Sequence, residues 1–178
     1  MFNGNWRESS MAHVDITIVD PNISLDSMNV TLGSLYQDEI VVEPAEVTSV
    51  LATATLFQMD GLIDQCASIM EETINVETVS KYYESGVAYG ATKIQDSCLA
   101  WLKVNLLSHM PEHPGKLRQI SKGLMENLVN DPRLFVMQTE FSVYVLLRLW
   151  IYLIFHPEWD GSPQDAVMSS HKYFQVIY

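Results

Sequence analysis

Residues 143–155, VYVLLRLWIYLIF, constrain the fold most, because Arg148 is their one charge and a helix built from them is apolar on every side. Such a helix has to be covered by other elements. At thirteen residues it falls short of the roughly 20 that crossing a bilayer demands. It therefore reads as a buried core helix, and no membrane insertion is expected. The rest of the chain can supply the cover: of 178 residues, 48% are hydrophobic and 18% charged, a balance that offsets ordering entropy and excludes wholesale disorder. The length suits one ordinary domain or two small ones.

Ahead of that helix the hydropathy pattern changes character once. Val14, Ile16 and Ile18 alternate with His13, Asp15 and Thr17, a period of two that predicts a half-buried strand stopped by Asp20-Pro21-Asn22. Leu25, Met28, Leu32, Leu35 and Tyr36 then recur at helical spacing, and Ile40-Val41-Val42 reads as a second short strand. Glu43-Pro44 opens a helix with the stripe Val47, Val50, Leu51, Ala54 and Phe57, which Asp60-Gly61 is expected to break. Leu62, Cys66, Ile69 and Met70 form the next stripe, ending near Thr73.

From Asn75 onward only helical periods remain, so a boundary is expected at residues 73–75. Asn75 caps a helix carrying Val76, Val79 and Tyr83, interrupted between Gly86 and Gly90, and Thr92 caps another with the face Ile94, Cys98, Trp101, Leu102 and Leu106. Residues 109–115 hold two prolines and a glycine and predict a loop. Leu117, Ile120, Leu124 and Leu128 predict one more amphipathic helix, closed by Asn130-Asp131-Pro132. The tail after His156-Pro157 carries no clear period.

Charge narrows the partners. The formal net charge is -12, and residues 1–75 hold twelve acids against Arg7 alone, a net of -11. That sign repels phosphate backbones, so nucleic acid is not expected, and it would steer a basic protein partner. The opening MFNGNWRESS lacks a secretory signal pattern, so export is not expected. Cys66 and Cys98 sit in apolar helical patterns and read as free buried thiols.

Catalytic signatures are missing. There is no G-x-S-x-G elbow, no phosphate-binding glycine loop and no paired-cysteine metal motif, so no cofactor, metal or catalytic residue is expected. His109 and His113 have Pro111 between them and read as solvated; the adjacent acids Asp38-Glu39 and Glu71-Glu72 diverge in any regular element. Tyr82, Tyr83, Trp101, Trp150 and Tyr152 read as core aromatics. What remains is a binding module. Trp6 with Glu8 two residues on suits an interface anchor beside a charge, although an early tryptophan equally packs inward.

The ordered strings NWRESSM, GSLYQDEIVVEP, FQMDGLI, INVETV, LFVMQ and HPEWDGS resemble the germ cell-less family of BTB-BACK proteins over almost the whole chain. The resemblance implies an α+β, mostly α chain. Residues 1–73 would be the carboxy-terminal part of a BTB/POZ fold with a few short strands, and residues 74–178 an all-helical, incomplete BACK domain. It implies a non-catalytic substrate adaptor of a cullin-3 ubiquitin ligase. In that reading Trp6 and Glu8 match the family's cullin motif, Tyr36 borders the same groove, and Ile74, Val79 and Tyr83 fall in the first BACK helices that extend the contact. The family pattern also places strands and helices ahead of Met1-Phe2, which build most of its homodimer interface, and a substrate-recognising region after BACK. The expectation is accordingly a fragment or truncated isoform, with homodimerisation and substrate capture left open and the substrate unidentified. A nuclear location, at the envelope or matrix, follows by resemblance, with the cytoplasm as the other possibility. The competing reading is a nuclear-envelope scaffold or transcriptional co-regulator that acts through the helical half, on the exposed side of residues 75–107, without cullin.

Overall fold

A computed structural model describes residues 17–36, 41–136 and 139–177, the side chains of 176 and 177 excepted. The described chain is helical: α1 (Leu25–Gly33), α2 (Val47–Leu56), α3 (Asp60–Glu72), α4 (Val79–Tyr89), α5 (Thr92–Asn105), a 3-10 turn (Met110–Glu112), α6 (Pro114–Leu117), α7 (Lys122–Asn130), α8 (Glu140–Phe155) and α9 (Pro163–Ile177). Among the described residues there is no strand: residues 17–20 and 41–43 are without regular structure, and residues 14–16 and 40 of the two expected strands lie outside the description.

The helices assemble pairwise along the chain. α2 packs on α3, α4 on α5 and α8 on α9, while α5 also touches α3 and α7, and α2 bridges α1 to α4. One continuous core results, running from Val42 through Leu51, Met70, Ile94, Leu102, Leu128 and Leu153 to Ala166. It crosses residues 73–75 without a gap: the Thr73 hydroxyl bonds the Tyr82 hydroxyl at 3.1 Å, and Val79 and Tyr82 are buried.

Several local starts and stops differ from the sequence pattern, each for a physical reason. The break after α2 comes at residues 57–59, where Gln58 adopts φ 54 and the Met59 N–H reaches back to the Ala54 carbonyl at 2.9 Å. This is a helix-ending turn that usually employs glycine. Asp60 and Gly61 are instead the first residues of α3, where an acid suits the positive helix end. Gly86 does not interrupt α4 but lies buried within it, and Gly90, at φ 69, ends it. Thr92 is the first residue of α5 and Ala91 its cap position.

Residues 109–115 are not an open loop. Pro111 and Pro114 occupy first-turn positions, where the missing N–H is no loss, and Met110 is fully buried. Leu117, Ile120, Leu124 and Leu128 are all buried, yet they do not share one helix: Leu117 ends α6, Ile120 lies in the turn after it, and Leu124 and Leu128 are on α7, because Ser121 turns extended and accepts from the Leu124 N–H at 3.4 Å. The tail forms α9. Ser162 accepts from the Asp165 N–H at 3.3 Å and donates to its carboxylate at 2.7 Å, and Ala166 and Ser170 are buried against the rest.

A charged node ties α5 to the end of α7. Asp131 lies 2.5 Å from Lys103 Nζ and 3.0 Å from Arg133 Nη2, and the Lys103 carbonyl accepts from the Phe135 N–H at 2.9 Å. The Arg133 guanidinium, and then the Lys103 ammonium, hold the Asp131 carboxyl well below the usual carboxylate range. A carboxyl depressed in the folded state takes up its proton more readily when unfolded. Its stabilisation is thus complete above the ordinary value of about 3.9 and fades as pH falls below it. Asp131→Asn is expected to have a lower urea midpoint than the parent at neutral pH, with the two midpoints converging below about pH 4. Midpoints separated equally at every pH would contradict this role.

A candidate protein-docking face

The first helix is built inside out. The face that α1 buries is polar: Ser27 and Thr31 are 1% and 0% exposed. Ser27 Oγ lies 2.8 Å from Thr53 Oγ1 of α2, and Ser24 and Ser27 cap the helix reciprocally, each hydroxyl accepting the other's N–H at 3.0 Å. Those bonds satisfy Ser27 and fix which way α1 faces, whereas the Thr31 hydroxyl is buried beside them without a partner. Leu25, Leu32 and Leu35 of its apolar stripe are therefore turned to solvent, with Met28 half-buried.

At the carboxy-terminal end of this stripe the chain tightens. The Leu35 N–H bonds the Leu32 carbonyl at 3.2 Å and the Tyr36 N–H bonds the Gly33 carbonyl at 3.0 Å, so Tyr36 projects 88% exposed. Val41 is 82% exposed, while the adjacent Val42 anchors the segment in the core. Large apolar and aromatic side chains held outward on a fixed helix are what an interface anchor requires.

The other anticipated contact residues fall differently. Trp6 and Glu8 lie outside the described residues. Val79 is fully buried, because α4 turns Val79, Tyr82 and Gly86 toward the core; its side chain supports the helix and is closed to a partner. Ile74 and Tyr83 are half-buried and pack against the same core. Tyr36 and the α4 residues stand on separate elements linked through α2. On α4 the outward positions are Lys81, Glu84, Val87 and Ala88, with Val87 55% exposed. Helical spacing opposite Val79 and Tyr82 was the signal for them.

Beside α1, a polar clamp holds the preceding segment. Tyr89 donates to Asp20 Oδ2 at 2.9 Å and accepts from Asn22 Nδ2 at 2.8 Å, pinning residues 20–22 to the end of α4. A cleft of about 300 Å3 beside it is lined by Ile18, Val19, Ile23 and Leu56.

Among the described residues, several groups that could do chemistry are paired or buried. Glu71 pairs with Lys93 at 3.1 Å and accepts from Ser97 at 2.9 Å, which bridges α3 to α5. His109 and His113 are exposed, and among the described residues no group of three potential ligands could hold a metal ion. Tyr82, Trp150 and Tyr152 are core residues, with Tyr83 and Trp101 half-buried. Cys66 and Cys98 are free and buried, and burial pushes both thiols up to about 12. Since the thiolate is the reactive form, iodoacetamide at neutral pH is expected to alkylate neither cysteine in the native chain and both in denaturant. Rapid native labelling, read by mass spectrometry, would contradict that burial.

Residues 1–74 match the family model described as BTB/POZ domain. The chain is 48% identical to Protein germ cell-less of Drosophila melanogaster over 94% of its own length and 29% of that protein's. To Germ cell-less protein-like 1 of Homo sapiens it is 39% identical over 98% of its length and 33% of the relative's. A more distant similarity, 24% over 93% of the chain and 26% of the relative, is to Kelch repeat and BTB domain-containing protein 8 of Danio rerio. The chain thus spans about a third of the length of the curated germ cell-less relatives it matches.

Proposed function

We propose that this chain, which belongs to the germ cell-less family and carries a BTB/POZ match, is a protein-interaction adaptor whose partner is cullin-3. The BTB part, residues 1–73, grips the cullin, and residues 74–178 act as a BACK domain that extends the contact. The adaptor is non-catalytic and brings a protein substrate to a ubiquitin ligase. The observation that carries this reading is the BTB/POZ match over residues 1–74, in the part of the chain that concentrates the negative charge. The outward Leu35 and Tyr36, in the turn that follows α1, give that part exposed apolar anchors. Trp6 fills an apolar pocket of the partner while Glu8 makes a charge-assisted bond at its rim. In the α4 region the contact falls to Lys81, Glu84 and Val87, with Val79 holding the helix in place from within. The site of action is nuclear, at the envelope or matrix.

Capture of cullin-3 by the tagged chain from cell extract tests this. A Trp6→Ala, Glu8→Ala double variant is expected to abolish capture, and Tyr36→Ala to weaken it by roughly tenfold or more, as for a central anchor. Undiminished capture by the double variant would overturn the reading. Loss of other nuclear partners on Val87→Asp or Val104→Asp, with no effect of the Trp6 and Glu8 changes, would favour the scaffold alternative.

A further inference from the structure

The apolar helix α8 is covered on only one side. Leu146, Leu149, Trp150 and Leu153 are buried, but Phe141 and Tyr144 are 67% and 51% exposed. Beside them runs a groove between α8 and α9. It consists of two adjoining cavities of about 260 and 320 Å3 that share Phe141, Val145 and Val167. The first opens toward Arg148 and His171, the second toward Leu107 and Pro111.

Arg148 is the unusual member of this groove. Its guanidinium sits 5.4 Å from the Tyr144 ring centroid and 4.9 Å from that of Phe174, and it donates one hydrogen bond, from Nη2 to the His171 carbonyl at 3.2 Å. Its Nε is buried and has no partner. Arg148 has no carboxylate within ion-pairing distance among the described residues, as is also true of Lys81, Arg118, Lys122 and Lys172; it differs from them in lining an apolar groove. The buried Nε is closed to a ligand, but a guanidinium that lines an apolar groove and has no carboxylate partner attracts an incoming carboxylate through its remaining N–H groups more strongly than one in open water would.

We propose that the α8–α9 groove is a docking site for an amphipathic protein segment that seats two apolar side chains in the cavities and sets a carboxylate on Arg148. The two separate cavities call for two side chains on one segment, such as i and i+3 or i+4 positions of a helix lying in the groove. Charge selects among such segments: Arg148 and the neighbouring exposed Lys172 favour an acid and repel a lysine or arginine at that position. This surface lies on elements other than α1 and α4.

Selection from a displayed library of random 12-residue peptides tests the proposal, using the intact chain as bait and its Phe141→Ser variant, altered at an exposed position, as counter-selection. The expected consensus is two apolar or aromatic residues followed by Asp or Glu. A synthetic winner should perturb the amide resonances of Val145, Arg148 and Val167, and bind roughly tenfold tighter than its Glu→Gln counterpart. Arg148→Gln should erase that difference while leaving the thermal midpoint and circular dichroism close to the parent's. Failure to enrich over the counter-selection, a consensus without an acid, equal binding of the Glu and Gln peptides, or perturbations outside the groove would each overturn the proposal. So would concentration-dependent self-association abolished by Phe141→Ser, which would assign the groove to a second copy.

Discussion

Replacing Leu102 with alanine is expected to lower the stability of the whole chain by about 3 kcal/mol, within the range for truncating a fully buried leucine. Leu102 is 0% exposed and lies on α5, the helix that meets α3, α4 and α7 together. Neighbours on three sides limit how far the site can collapse, so most of the cavity persists. The loss should not stay in the helical part. Because the core runs unbroken across residue 74, urea unfolding followed by circular dichroism and by tryptophan fluorescence should shift as one transition. Two transitions, of which only one moves, would show that the two parts are energetically separate.

The second large effect falls on Gly86. Its buried position on α4 lets α5 approach so closely that an added Cβ would stand 2.7 Å from Ile94 Cγ2, 2.9 Å from Gln95 Cγ and 3.2 Å from the Ala91 carbonyl oxygen. Side-chain ends can shift, but Ala91 O is held by the turn, and Gln95 Nε2 already donates to the Gly86 carbonyl at 2.8 Å. Gly86→Ala is expected to cost about 1–3 kcal/mol through this crowding, outweighing the gain in helix propensity of roughly 1 kcal/mol. Gly123→Ala on α7 is the control: nothing lies within 4 Å of its added Cβ, so only the propensity gain remains and stability should rise. Equal shifts in urea midpoint for the two variants would refute the close approach of α4 and α5.

Much of this architecture is legible where apolar spacing alone decides it. Val47, Val50, Leu51 and Ala54 on α2, and Ile94, Cys98, Leu102 and Leu106 on α5 and its end, all reach the core as their period requires. Proline misleads at residues 109–115, because two prolines also suit the first turns of two short helices. The start of α9 was written in Ser162, Pro163 and Asp165, and its inward residues Ala166, Ser170 and Tyr173 do keep helical spacing, but small and polar residues among them obscure the period.

The candidate site is the least legible part. Spacing gathers Leu25, Leu32 and Leu35 into a stripe, and a stripe ordinarily faces inward. Here the Ser27–Thr53 hydrogen bond and the buried Thr31 turn it outward. A tertiary partner for a serine cannot be read from sequence spacing. The length and hydropathy of residues 143–155 likewise predict a helix covered all round, whereas α8 leaves Tyr144, Ile154 and Phe155 exposed.

Calorimetric titration of the purified chain with the amino-terminal domain of cullin-3 tests the adaptor reading most directly. The account predicts saturable binding that Trp6→Ala eliminates, that Tyr36→Ala weakens by roughly tenfold or more, and that Arg148→Gln leaves unchanged. Absence of binding by a chain whose circular dichroism is helical and whose light scattering is free of aggregates, or binding indifferent to Trp6 and Tyr36, would contradict it.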